Sequence, residues 1–338
     1  MPATRTFTTD EIRIEQDGAL GRIVLDRPRA INALTQPMVE AVSAALRAWS
    51  GDETVRTVSI EGAGDRGLCA GGDVVAVRRT WLDGGDRTAF FRAEYAMNAA
   101  LAAYPKPVVA YQDGVVIGGG VGVSAYADLR LVTERSKVAM PETGIGFFPD
   151  VGATYLLSRA PGEIGTHLAL TGTTVAGRDA IAAGLSDAQI ASVDWVSLRE
   201  RLSAGDPLPT HLGDNPPASG LAAARSWIDE CYAGDDPAAI LHRLQSHDDP
   251  AAREAGTLLA TRSPLSVAVT LEALRRAARL GSVREVLDQD LVIAGHLVAD
   301  GDFVEGVRAQ LVDKDRTPTW QHGSVDEVSA SVVQKYFR

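Results

Sequence analysis

The strongest constraint on the fold is a change of pattern near residue 151 of this 338-residue chain. Before that point, short segments typical of strands take turns with segments whose apolar residues recur at helical spacing. After it, strand-like segments become scarce and helical ones follow one another. Strands that alternate with helices build a sheet with crossover connections. The sequence therefore predicts an α/β core followed by a helical C-terminal region.

The first half contains several predicted elements. Residues 11–16 and 20–25 alternate apolar and polar side chains around Asp17-Gly18, which predicts a β-hairpin. Residues 36–49 carry apolar side chains at helical spacing. Further strands are predicted at 55–60, in the VVAYQ segment and at 129–132, and a further helix is predicted at 86–103.

The second half is predicted to be mostly helical. Pro and Gly cluster in residues 205–220, which predicts a surface loop or linker there. Helices are predicted at 151–159, 162–170, 176–183, 195–203, 219–232, 237–246, 250–260, 264–279, 282–299 and 302–312.

Composition limits the partners of the protein. Lys plus Arg is 33 and Asp plus Glu is 44, a net charge of −11. This balance argues against nucleic acid or an anionic membrane as a partner attracted by bulk charge. Two cysteines cannot build a disulfide framework. No apolar run approaches the ~18 residues of a membrane span, and no signal peptide is apparent, so we expect a cytoplasmic protein.

Two glycine-rich turns are candidates for contact with a ligand. One is the segment GLCAGGD at 67–73, and the other is Gly118-Gly119-Gly120, which opens a predicted helix. Adjacent glycines let the backbone approach a ligand closely, and a helix start presents free N–H groups. Two such donors that converge on one oxygen form an oxyanion hole. The alternative is two tight turns that serve packing only, and the spacing does not choose between them.

Two carboxylates follow in an apolar segment. Glu142 and Asp150 lie eight residues apart, close to Ile145 and two phenylalanines. Burial of a carboxylate is costly and raises its pKa, which suits acid–base chemistry. The alternative is a surface position for Glu142 and a helix-capping role for Asp150.

Two other interpretations fit less well. The segment GVGVSA matches a dinucleotide-binding pattern, but it lies in mid-chain and lacks a suitable acidic residue after the next strand. Cys69 lies beside the first glycine turn, yet no base is identifiable for it, so we interpret it as a packing residue.

Together these segments resemble the crotonase, or enoyl-CoA hydratase/isomerase, superfamily. The resemblance implies a ClpP/crotonase-like spiral core of ββα units that binds an acyl-CoA thioester, with a helical C-terminal region. The segments that carry it are LDRPRAINALTQPMVEAV (25–42), GAGDRGLCAGGDV (62–74), KPVVAYQDGVVIGGGVGVSAYADLRLVT (106–133) and MPETGIGFFPDVGATYLLSR (140–159).

The resemblance narrows to the 3-hydroxyisobutyryl-CoA hydrolase branch, thioesterases of valine breakdown. Two further segments look like this branch, FFRAEYAMN (90–98) and DFVEGVRAQLVDKDRTPTW (302–320). The expected organisation is a core at 1–195, with the CoA-ester site, and a helical region at 196–338. Coenzyme A belongs to the substrate, so no separate cofactor is expected.

Site residues follow from the same resemblance. Gly72 and Gly119 correspond to the two oxyanion-hole donors, and Glu142 and Asp150 to the catalytic acids. The remaining matched positions border the substrate, namely Glu94, Ala70, Gly71, Arg29 and Ala30.

One position departs from the hydratase pattern. The first catalytic glutamate of hydratases lies three residues after the middle glycine of the GGG turn, and here that residue is Gly122. We therefore favour a hydrolase. The alternatives are an enoyl-CoA hydratase or isomerase and a non-catalytic acyl-CoA-binding protein. Many members of the superfamily are trimers or hexamers, so a homo-oligomer is also expected.

Overall fold

The computed structural model describes residues 7–210, 212 and 219–338, which form two compact units. The predicted loop at 205–220 includes residues 211 and 213–218, which lie outside the described residues. The first unit draws on Met1–Gly72, Ala93–Val138 and Val175–Ala218, and the second draws on Asp73–Arg92, Ala139–Thr174 and Ser219–Arg338. The division at residue 195 stays a prediction.

Two sheets belong to the first unit. One has the strand order β1-β2-β3-β4-β6-β8-β11 and the other the order β10-β9-β7-β5. The first sheet is antiparallel from β1 to β3 and parallel from β3 to β11. The described strands are β1 Phe7–Thr9, β2 Ile12–Asp17, β3 Leu20–Leu25, β4 Thr57–Gly62, β5 Gly67–Cys69, β6 Val108–Gln112, β7 Val115–Ile117, β8 Leu129–Val132, β9 Lys137–Ala139, β10 Val175–Ala176 and β11 Ala188–Gln189.

The helices of the described residues confirm the helix-rich second half. No helix among them is long and apolar enough to cross a membrane. The α-helices are α1 Gln36–Ser50, α2 Val74–Leu82, α3 Ala89–Ala102, α4 Gly119–Ser124, α5 Ala153–Leu157, α6 Ile164–Thr171, α7 Gly177–Ala182, α8 Asp194–Ser203, α9 Gly220–Cys231, α10 Pro237–Ser246, α11 Pro250–Leu259, α12 Pro264–Ala277, α13 Val283–Leu297, α14 Gly301–Val307 and α15 Ala330–Val333. Shorter helical turns are Pro28–Ala30, Glu142–Ile145, Val325–Glu327 and Gln334–Phe337, and Arg308–Val312 is a π-helical turn.

The predicted β-hairpin is formed by β2 and β3. Ile12 pairs with Leu25 and Asp17 with Leu20, so the alternating apolar residues share one register. Gly18 in the turn has φ +57°, a left-handed conformation that favours glycine. A Cβ there would also lie 2.2 Å from the carbonyl oxygen of Ser203. The turn therefore needs glycine for both its backbone angle and its close packing.

Helix α1 is fixed at both ends by side chains. At its start, the Thr35 hydroxyl accepts the N–H of Met38, which is the usual helix cap. At its end, the Lys106 ammonium donates to the carbonyls of Asp52 at 2.6 Å and Val55 at 2.8 Å, and to that of Trp49. One cation thus satisfies three carbonyls near the negative end of the helix dipole.

Loss of the Lys106 ammonium should destabilise the first unit. We expect Lys106→Met to lower the free energy of unfolding by at least about 2 kcal/mol, because it removes three hydrogen bonds from a charged donor, each worth ~1.5–3 kcal/mol. Urea unfolding measures the change. Lys335→Met, at an exposed lysine, is the matched control. Equal losses of stability in the two variants would contradict this prediction.

The second unit is built around α12, whose side chains are buried on nearly every turn. Its first eight residues, 264–271, are all buried, as expected of a helix that enters a core. Within the same unit, α6 places His167 in a buried position, where its Nδ1 lies 2.9 Å from the Tyr232 hydroxyl. Burial lowers the pKa of His167 from 6.5 to about 4.

The lowered pKa of His167 makes stability depend on pH. The folded state favours the neutral ring. The stability that the buried His167 ring contributes is therefore complete above pH 6.5 and is lost as pH falls from 6.5 through about 4. A shift of this size corresponds to roughly 3 kcal/mol at most. We expect the stability difference between wild type and His167→Gln to shrink over that interval, as measured by urea unfolding at several pH values. A difference independent of pH would argue against a neutral buried ring.

Candidate active site

The first glycine turn follows β5. Gly71 has φ +110°, and its carbonyl accepts the N–H of Leu34 at 2.8 Å. Ala70 donates its N–H to the carbonyl of Ile31 at 2.9 Å. Within the described residues, the Gly72 amide donates no turn, loop or cap hydrogen bond to the backbone. The turn thus leaves this N–H group available to a ligand.

The second glycine turn lies beside the first. β7 is the parallel neighbour of β5, so the carboxyl ends of the two strands meet at the same edge of the sheet. Gly118 has φ +53°, and Gly119 is the first residue of α4, where an N–H has no partner inside the helix. A Cβ added to Gly119 would lie 3.1 Å from the Gly72 nitrogen. The structure therefore brings the two predicted donors together.

Glu94 lies beside the two glycine turns. It is on α3, only 2% exposed, and its Oε1 would be 2.6 Å from a Cβ on Gly119. Asn98 is one helical turn further along α3 and fully buried, and its side-chain amide makes no hydrogen bond to the described residues. Our sequence analysis missed Asn98, although its spacing of four from Glu94 places both residues on one helix face.

The turn with Arg29 and Ala30 is tied to this region through its neighbour Asn32. The Asn32 side chain accepts the N–H of Arg27 at 2.9 Å and donates to the carbonyls of Ala63 and Gly67, at 3.0 and 2.9 Å. These bonds hold Asn32 at a φ of +56°, uncommon for a non-glycine residue. The sequence analysis did not single out Asn32. Asn32 is identified by its burial and its left-handed backbone conformation, which are features of the structure.

Cys69 has the properties of a packing residue. It is fully buried, and burial raises the pKa of its thiol to about 12. A thiol rather than a reactive thiolate is therefore present near neutral pH. A Cβ on Gly120 would lie 2.4 Å from the Cys69 carbonyl oxygen, so this close contact also requires glycine.

Glu142 belongs to the second unit and starts the helical turn Glu142–Ile145. It is only 6% exposed, so the alternative of a surface position is wrong. Gly146 ends the turn at φ +71°, and a Cβ there would lie 2.2 Å from the Asp302 backbone. Gly306 of α14 packs in the same way, since its Cβ would lie 2.3 Å from the Ile145 carbonyl carbon. The C-terminal DFVEG segment therefore supports the turn that carries Glu142.

Asp150 lies in the next turn of the second unit and is 5% exposed. The helix after it, α5, has Gly152 at its N-cap with no side-chain cap, so the capping alternative for Asp150 is wrong. The apolar surroundings predicted for this segment are present. The Phe147 ring stacks on Phe91 with centroids 5.2 Å apart and lies 5.5 Å from the Phe303 ring.

A metal centre is not indicated by any grouping of side chains in the described part of the chain. No three or more His, Cys, Asp or Glu residues there are arranged to hold a metal ion. The arrangement of the first unit instead offers two amide donors beside a buried carboxylate. That of the second unit offers the buried carboxyl groups of Glu142 and Asp150. These are the groups of acyl-transfer and proton-transfer chemistry.

Comparison with known proteins gives a consistent family. The sequence profile described as enoyl-CoA hydratase/isomerase matches residues 20–337. The mitochondrial 3-hydroxyisobutyryl-CoA hydrolase of Rattus norvegicus is 36% identical, covering 98% of this chain and 89% of the relative. The human protein of the same name is 33% identical, covering 98% and 90%.

Two solved structures share the complete fold. A carnitinyl-CoA dehydratase from Mycobacterium thermoresistibile has a TM-score of 0.93 at 46% identity, covering 98% of this chain and 97% of that one. An enoyl-CoA hydratase from Rhodobacter sphaeroides has a TM-score of 0.92 at 42% identity, covering 97% of both. The relatives in sequence and the relatives in structure thus bear names of different activities.

Proposed function

The chain belongs to the enoyl-CoA hydratase/isomerase, or crotonase, family, and on this premise we propose that it hydrolyses a short 3-hydroxyacyl-CoA to the free acid and coenzyme A. 3-Hydroxyisobutyryl-CoA, a thioester of valine breakdown, is the favoured substrate. The observation that carries the proposal is the proximity of the Gly72 and Gly119 amides to each other and to buried Glu94, with glycine rather than an acid at position 122.

Gly72 and Gly119 are proposed to stabilise the transition state. The thioester oxygen accepts both N–H groups, and negative charge grows on it as the carbonyl carbon becomes tetrahedral. Amides fixed by the sheet edge and by a helix start need no reorganisation during the reaction. The loss of one such donor typically costs ~3 kcal/mol.

Glu142 is proposed to drive the attack on the carbonyl. As a general base it removes a proton from water while the oxygen of that water bonds to the carbonyl carbon. As a nucleophile it forms a mixed anhydride that water then hydrolyses. In both routes the carbon–sulfur bond breaks and the thiolate of coenzyme A takes up a proton, for which Asp150 is a candidate donor. Transfer of enzyme oxygen-18 into product in a single turnover would indicate the anhydride.

Glu94 and the exposed turn supply the proposed substrate contacts. Glu94 accepts a hydrogen bond from the 3-hydroxyl group, and the backbone of Ala70 and Gly71 borders the thioester. Arg29 and Ala30 lie on an exposed turn. The Arg66 guanidinium donates a hydrogen bond to the Arg29 carbonyl of this turn at 3.3 Å. The guanidinium groups of Arg29 and Arg66 suit the phosphates of coenzyme A.

Dehydration or hydration is the second candidate function, because two structural relatives above 40% identity are named a dehydratase and a hydratase. Gly122 argues against it, since the position of the first hydratase acid holds a buried glycine in α4. The cytoplasmic location and the homo-oligomer stay predictions, and the hydrolases named above are mitochondrial.

A panel of acyl-CoA esters tests the proposal. Free thiol release is followed with a thiol reagent for 3-hydroxyisobutyryl-, 3-hydroxypropionyl- and unsubstituted short acyl-CoA. We expect the highest kcat/KM for a 3-hydroxyacyl group, because Glu94 accepts its hydroxyl. Binding of these esters without release of thiol from any of them would favour a non-catalytic acyl-CoA-binding protein.

A further inference from the structure

Another buried aspartate lies beside Asp150 in the second unit. Asp290 is on α13, 138 residues from Gly152 along the chain, and its side chain is fully buried. Its Oδ2 accepts the N–H of Gly152 at 2.8 Å. A long-range contact therefore holds the backbone two residues after Asp150.

The backbone at this point adopts an unusual conformation. Val151 has φ +53° and is buried, and Gly152 follows with φ +74°. A β-branched residue in the left-handed region is a genuine outlier and persists only where the surroundings impose it. The turn is closed on its other side by the N–H of Ala153, which donates to the Asp150 carbonyl at 2.8 Å. The Asp290 carboxyl therefore contacts the turn directly, through the N–H of Gly152.

The surroundings of Asp290 favour an uncharged side chain, which suits its contact with Gly152. Burial, with the nearby charge of Asp150, raises its pKa well above the usual value and so favours the neutral carboxyl. A neutral carboxyl accepts the Gly152 amide without placing a second negative charge beside Asp150.

We propose that Asp290 is a positioning residue, which imposes the left-handed Val151–Gly152 turn and thereby aims the Asp150 carboxyl at the substrate. This inference rests on the proposed function, because Asp150 is one of its proposed catalytic acids. It adds a residue that no segment of the crotonase resemblance includes.

Two substitutions of similar size distinguish the effect of the hydrogen bond to Gly152 from the effect of side-chain packing. Asp290→Asn carries no charge and keeps an oxygen that accepts the Gly152 N–H. Asp290→Leu has a similar shape but no acceptor. We expect Asp290→Leu to lower kcat at least tenfold with KM changed less than threefold, and Asp290→Asn to retain at least a third of kcat. Asp229→Asn is the matched control, since Asp229 also accepts a loop N–H, that of Glu163 at 2.8 Å, but holds no proposed site residue.

Three properties are measured for each variant. They are kcat and KM, with kcat calculated from the concentration of folded protein, thermal stability, and hydrogen exchange of the peptide that contains Gly152. Faster exchange of this amide in Asp290→Leu, but not in Asp290→Asn, is the expected result. Wild-type kcat in Asp290→Leu, or equal losses in both variants, would overturn the proposal. If Asp290→Leu fails to fold, Asp290→Ser takes its place, because its short hydroxyl does not reach the amide. If the wild type hydrolyses no ester, the proposed function fails, and exchange at Gly152 still decides whether Asp290 holds the turn.

Discussion

Glu142→Gln is expected to lower kcat for thioester hydrolysis by about 10³-fold, within the range that general acid–base groups contribute. The amide has nearly the same shape as the carboxylate but neither takes a proton from water nor attacks a carbonyl. Glu142 is buried in a turn held by close glycine contacts, so the substitution leaves the backbone in place. We therefore expect KM to change less than fivefold.

Steady-state thiol release, with calorimetric binding of an acyl-CoA, measures this effect. Glu163→Gln is the matched control, because Glu163 is a partly buried glutamate of the same unit that pairs with Arg275 outside the proposed site. We expect the control to keep its kcat. More than a tenth of wild-type kcat in Glu142→Gln would show that another group activates the water.

Gly119→Ala is expected to lower kcat/KM by about 10²- to 10³-fold, comparable to the loss of an oxyanion-hole donor. The added methyl group would lie 3.1 Å from the Gly72 nitrogen and 2.6 Å from Glu94 Oε1. It thus occupies the space where the two amides meet an oxygen. The helix itself tolerates alanine well, so the loss should exceed any effect on folding.

Gly51→Ala is the control for this substitution, since no atom lies within 4 Å of a Cβ at that position. Thiol-release kinetics and thermal unfolding should be measured for both variants. We expect a wild-type rate for Gly51→Ala. Wild-type kcat/KM in Gly119→Ala would be incompatible with an oxyanion site between Gly72 and Gly119.

Local patterns were sufficient to predict much of the fold. The alternation around Asp17-Gly18 predicted the hairpin, and the strand at 129–132 has the predicted bounds. The helix predicted at 151–159 is shorter, Ala153–Leu157, because Val151 and Gly152 adopt left-handed conformations. Helical periodicity does not reveal such backbone angles. The predicted family is confirmed by the full-length profile match.

The candidate site was predictable where one short segment carries its residues. The two glycine turns follow neighbouring strands, so their meeting depends on the strand order. The family resemblance paired Gly72 with Gly119, but local patterns do not predict that order. Asp290 was not predictable in this way. Its spacing from Val286 and Leu287 places it on the apolar face of α13, unlike the exposed Asp288. Its contact with Gly152, however, joins segments 138 residues apart, and local spacing does not reveal such a partner.

The most direct test follows two products from one substrate. Purified protein is incubated with 3-hydroxyisobutyryl-CoA, while free thiol and the absorbance of the enoyl thioester are recorded in the same sample. A hydrolase releases one thiol per substrate consumed and forms no enoyl thioester, which is the result we predict. Growth of enoyl absorbance with the thioester intact would identify a dehydratase and contradict the proposed hydrolysis.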